Sequence, residues 1–175
     1  MHDGAVPLGC EIRHERIGFD IAYAIDVDNV ILFAYDGVAL HAKTVGNSKY
    51  PDYVAAWDDE EYYEWDAAKA QECFDAAGYT GGTYRLMYSV SDVNTMIATT
   101  MQADLMAFGI NLELVPYDSA LFGNYKYTEN DEWDLMLDEG GSSNLLTNVW
   151  KLSLDARDQV YGKTIGYVQE DTLQS

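Results

Sequence analysis

The chain is poor in basic residues: 10 Lys and Arg stand against 30 Asp and Glu, a formal charge of −20. That balance excludes a nucleic-acid ligand. Phosphate binding is driven by cationic side chains that release counterions, and a polyanion is repelled instead. An anionic membrane surface is excluded by the same sign. Cysteine is scarce too. Cys10 and Cys73 are too few for a disulfide scaffold and lack the C-x-x-C spacing of a metal or redox site. Cys73 sits in a helical pattern between Glu72 and Phe74 and reads as a packed small hydrophobe, with a single Cys10–Cys73 bridge as the alternative. His2, His14 and His41 are scattered and match no ligand spacing, so neither a metal nor another cofactor is expected. No apolar run approaches the roughly 20 residues that span a bilayer. Val6-Pro7-Leu8-Gly9-Cys10 has only the outline of a lipoprotein cleavage box, since Pro7 takes its apolar position and no basic or hydrophobic region precedes it. Missing as well are the G-x-S-x-G elbow, the phosphate loop and G-x-G-x-x-G.

What is present fits a folded domain. The chain has 175 residues, enough for one domain, here taken as 1–175, with a real core. A 48% hydrophobic content with 4 Trp, 14 Tyr and 5 Phe argues against disorder despite the charge. The acid excess therefore reads as solvated surface. Glu129-Asn-Asp-Glu132 lacks the order of a calcium loop and reads as a solvated turn.

Periodicity and stop signals lay out the elements. Glu11–Phe19 alternates charged and apolar residues and reads as a strand. Residues 21–35 read as two short helices, the second capped by Asp26 or Asp28 and stopped at Asp36-Gly37. Residues 41–65 have no period, and Tyr50, Tyr53, Trp57, Tyr62, Tyr63 and Trp65 would have to order them. Asp66 caps a helix over 67–77 ended by Gly78, and Gly81-Gly82 reads as a simple turn before a strand over 83–88. Asp92 is expected to cap a long helix ending at Gly109. A strand over 111–116, a helix after Asp118 and a strand over 133–137 follow. Helix and strand in alternation predict an α/β fold with a mainly parallel sheet.

Ligands of such sheets bind beyond the carboxyl ends of the strands. Here those ends are Ser89–Ser91, Tyr117–Ser119 and Asp138-Glu139-Gly140-Gly141-Ser142-Ser143-Asn144, the last being the most site-like. Asp138 and Glu139 offer a carboxylate pair for a hydrolytic or carbohydrate-active enzyme. Adjacent residues of an extended chain point to opposite faces, however, so a polar strand exit is the preferred reading. The aromatic segment 50–65 offers a second alternative, a surface for interaction with sugar or peptide.

Three stretches, in order, resemble the extracytoplasmic solute-binding proteins of ABC importers, the peptide/nickel/dipeptide class called family 5. Ile21-Ala-Tyr-Ala-Ile-Asp-Val-Asp-Asn-Val-Ile31 is similar to that family's A-Y-A-I-D-R-x-x-I helix pair. Tyr63-Glu-Trp-Asp-Ala-Ala-Lys-Ala-Gln-Glu-Cys-Phe-Asp-Ala-Ala-Gly-Tyr79 is similar to Y-D-x-x-K-A-x-x-L-L-x-E-A-G-Y, the most specific of the three. The third runs from Gln102–Ile110 through Leu112-Glu-Leu114 to Glu132-Trp-Asp-Leu-Met136. The resemblance implies one lobe of a type II periplasmic-binding-protein fold, a mixed but mainly parallel sheet with helices on both faces. It implies the C-terminal lobe of a two-lobed protein, cut at both ends. It further implies capture of a small solute such as a peptide, no enzymatic activity, a monomer, and delivery to an ABC permease. The parent would lie outside the cytoplasmic membrane on a lipid anchor. Tyr88 and residues 138–144 are then expected to face the cleft. Two departures stand out: Phe19-Asp20 leads straight into Ile21 without the family's usual linker, and Ser143 falls where oligopeptide-binding relatives carry the aspartate that pairs with a peptide's amino terminus, a role left to Asp138 or Glu139.

Overall fold

The computed structural model describes residues 20–42, 48–59, 64–128 and 131–138. The expected strand over 11–19 lies outside them. Within them the order is α1 (Asp20–Ala24), α2 (Val27–Tyr35), a 3₁₀ turn (Ala55–Asp59), α3 (Ala67–Ala76), β1 (Gly82–Ser89), α4 (Asp92–Met106), β2 (Ile110–Tyr117), α5 (Ser119–Tyr127) and β3 (Leu135–Leu137).

Helix boundaries follow from local chemistry. Asp66 is extended, and its Oδ1 accepts from the N–H groups of Ala68 and Lys69, two donors that α3 cannot satisfy internally. Gly78, at φ +66°, turns the chain so that the Tyr79 N–H reaches the Phe74 carbonyl, a Schellman closure. Asp26 caps α2, which therefore starts at Val27, and Asp28 lies inside the first turn. The expected Asp92 cap is corrected. Ser91 is the cap, its Oγ accepting from the Asn94 N–H, and Asp92 is the first helical residue, where a carboxylate meets the positive helix end. The Asn94 amide donates back to the Ser89 carbonyl, tying α4 to the end of β1.

The three described strands are parallel in the order β2-β1-β3. No antiparallel pairing occurs among them, so the mixed character expected of the sheet is not seen in the described residues. The chain steps from β1 to β2 through α4, then back across β1 to β3 through α5. Reversing direction with the same crossover hand puts the two helices on opposite faces. Packing agrees. Leu86 and Tyr88 of β1, Leu112 of β2 and Leu105 of α4 share one core with α1 and α3. Met87 points the other way, against Phe122 of α5 and Trp133. Cys73 is buried in the first core and disulfide-bonded; Cys10 lies outside the described residues.

One contact between helices carries a sign-definite prediction. The Asp26 N–H donates to Asp104 Oδ2 at 3.0 Å, joining the start of α2 to α4. Burial pushes the Asp104 carboxyl above its ordinary value; the Asp26 N–H opposes this and the Asp26 charge adds to it. A carboxyl raised in the folded state costs stability as pH climbs through and above its ordinary value of 3.8. Asp104→Asn keeps an acceptor for the Asp26 N–H without the charge. We expect its Tm at pH 7 to rise by about 1–3 °C. Differential scanning calorimetry should show that gain vanishing below pH 3.8; an equal gain at both pH values would refute the electrostatic cause.

Candidate ligand-binding site

The carboxyl ends of the three strands lie side by side. Tyr88 is paired with Pro116 on one side and Leu137 on the other, and the Val90 N–H donates to the Tyr117 carbonyl at 2.8 Å, extending the ladder past β1. The polar groups of this rim are mostly engaged. Ser91 caps α4, and Asp118 caps α5 by accepting from the N–H groups of Ala120 and Leu121 at 2.9 Å. Next to them the rings of Tyr117 and Tyr125 meet at 4.8 Å, tilted by 40°. Burial, then the neighbouring Tyr125 and Glu132, raise the Tyr117 hydroxyl above its ordinary pKa.

Asp138 follows β3 directly. Leu135 and Leu137 face the larger core and Met136 faces the α5 side, so strand alternation turns Asp138 toward α5. There the Lys126 ammonium donates to its Oδ2 at 2.5 Å, with the two side chains 17% and 24% exposed. Lys126 also lies 5.0 Å from the Tyr127 ring centroid. Burial works against the ammonium, but the hydrogen bond and charge of Asp138, aided by Tyr127, outweigh it and hold Lys126 above the usual lysine range. Asp138 is thus engaged by a cation at the strand end.

Of the residues expected to face a cleft, Asp138 is at the rim. Tyr88 is not: it ends β1 as expected, but its side chain is 3% exposed and packs in the larger core, because strand alternation aims it with Leu86 toward α1, α3 and α4. Glu139, Gly140, Gly141, Ser142, Ser143 and Asn144 lie outside the described residues, so no Asp138–Glu139 geometry is described. Among the described residues no group of His, Cys, Asp and Glu converges as a metal site. In the aromatic segment, Tyr50 and Trp65 are exposed, while Tyr62 and Tyr63 fall outside the described residues.

Lys126 was the residue that sequence reasoning missed. Its signal was there: it is the sole Lys or Arg between Arg85 and Lys151. What hid it was distance, since the partner lies 12 positions away across a helix end and a turn.

Residues 21–151 match the family model described as bacterial extracellular solute-binding proteins, family 5 Middle. The chain belongs to this family. Solved structures agree on the fold. The putative peptide-binding protein AppA from Clostridium difficile superposes with a TM-score of 0.71 at 22% identity, covering 85% of this chain and 30% of that one. The oligopeptide-binding protein AppA from Bacillus subtilis, in complex with a nonapeptide, gives 0.72 at 15% identity over 87% and 32%. The substrate-binding protein CtaP from Listeria monocytogenes gives 0.70 at 23% over 82% and 30%. The family 5 chain therefore has the α/β architecture of type II periplasmic-binding proteins, and it spans about 30% of the length of these relatives. No curated protein matches it.

Proposed function

We propose that this chain is part of the C-terminal lobe of an extracytoplasmic binding protein that captures a small solute of the oligopeptide or dipeptide kind and hands it to an ABC import permease. The family match over 21–151 carries this reading, and the parallel arrangement of the strands supports it, since ligands of such sheets bind beyond the carboxyl ends of the strands. The ligand is gripped by the segment 138–144, whose Gly, Ser and Asn residues offer backbone and side-chain hydrogen bonds. Tyr88 stiffens the strand end from behind. Two lobes closing on the solute give such a protein its affinity, so one lobe alone binds weakly. The protein acts as a monomer without cofactor, outside the cytoplasmic membrane on a lipid anchor, and catalyses nothing. The family match favours binding over hydrolysis, and the Asp138 Oδ2 is already taken up as an acceptor by Lys126.

The test uses the full-length protein. Replacing Ser142, Ser143 and Asn144 together with Ala should weaken peptide binding about tenfold, as expected for two or three lost hydrogen bonds, while the Tm of the ligand-free protein holds. Unchanged affinity would remove the segment from the site.

A further inference from the structure

Negative charge is spread over the surface of this chain without matching cations. Asp28 and Asp36 on α2, Asp59 on the 3₁₀ turn, Glu64 before α3 and Glu72 within it are exposed, and none of these is ion-paired in the described structure. Cations that could offset them are already engaged: Arg85 with Asp134, Lys126 with Asp138, and Lys69 at 4.2 Å from the Tyr23 ring centroid. Helix ends show the same imbalance. α1, α2, α3 and α4 carry no basic residue in the last turn, where a cation would offset the helix dipole, and α2 closes on a carboxylate, Asp36. We propose that this chain is built to fold in concentrated salt, with a diffuse atmosphere of monovalent cations supplying the compensation that its own side chains do not.

The physics is that of self-repulsion. A formal charge of −20 on 175 residues opposes the compact state, because folding brings carboxylates closer together than they stand in the open chain. Salt decides how much of that repulsion survives. The screening length is about 10 Å at 0.1 M ionic strength, so neighbouring surface carboxylates still repel one another, and about 3 Å at 1 M, where they no longer do. The ions act as an atmosphere, not as ligands of one site: among the described residues no group of His, Cys, Asp and Glu converges to hold a metal. Sodium and potassium should therefore serve equally. This inference concerns the fold and stands apart from the solute-capture reading.

Scanning calorimetry of the full-length protein tests this. Between about 0.05 M and 1 M salt its Tm should rise by about 10 °C, in NaCl and KCl alike. Sucrose at matched osmolality should give less than half of that rise, which separates charge screening from solute exclusion. The variant Asp36→Asn/Asp59→Asn/Glu64→Gln/Glu72→Gln takes the chain from −20 to −16. Its rise should be smaller than that of wild type, by up to about a third, since self-repulsion scales with the square of the charge. Asn tolerates the left-handed φ of 51° at Asp36, so that position is not strained by the change. The charge-conserving counterpart Asp59→Glu/Glu64→Asp/Glu72→Asp should keep the wild-type rise, which a structural role of these side chains would not predict. A wild-type rise of half the expected size or less, a sucrose effect equal to the salt effect, or an undiminished rise in the neutralised variant would each overturn the proposal.

Discussion

Leu86→Ala will lower the unfolding free energy by about 3 kcal/mol, because it empties the centre of the sheet. Leu86 lies on the middle strand, in register with Leu114 and Leu135, and is 1% exposed. The loss has two parts: the transfer energy of the deleted carbons, and the cavity that neighbours pinned by strand hydrogen bonds cannot collapse into. A change of this size is a large fraction of the 5–15 kcal/mol that holds a typical domain together. Urea unfolding followed by circular dichroism should show a lower midpoint with unchanged slope. Leu32→Ala is the matched control. Leu32 is 55% exposed on α2, and its truncation should cost less than about 0.5 kcal/mol. Equal losses at the two positions would mean that the sheet is not where the core lies.

Gly81→Ala should cost about 2–3 kcal/mol, from two sources that add. Gly81 has φ +97°, beyond the left-handed well that even Asn or Asp occupies, so any side chain is strained there. A Cβ would also stand 2.9 Å from the Gly109 carbonyl oxygen, which is backbone and already accepts from the Gly82 N–H. The two glycines pass back to back at the amino ends of β1 and β2, and β2 cannot retreat without breaking its ladder. Gly78→Ala separates the causes. Its φ is +66° with nothing within 4 Å of the added carbon, so it should lose only the conformational part, about 1 kcal/mol. Thermal unfolding of both variants decides the matter: equal losses would mean that the contact with Gly109 is unimportant.

These two positions also mark what the sequence could and could not disclose. Caps are local, so Asp66 with Gly78 around α3 and Asp118 before α5 were legible from a few residues, as was the alternation of helix and strand. Ser91 and Asp92 are both good caps, and one sequence position is too fine a difference for pattern to decide; the hydrogen bond from Asn94 decides it. Gly81 looked like an ordinary turn because its reason, Gly109, lies 28 positions further on. Tyr88 was assigned to a cleft by its place at a strand end, while its side depends on a pleat phase that only packing fixes. At the rim, Asp138 was visible as a polar strand exit. Its partner was not, since an ion pair across a helix end leaves no spacing signature in the chain.

Solute capture is tested most directly by calorimetric titration of the full-length protein with dipeptide and oligopeptide pools. It predicts saturable heat at one peptide per protein, with a Kd on the order of 1 μM or tighter, and a Tm that rises with peptide concentration. No heat and no Tm shift with any pool would contradict it.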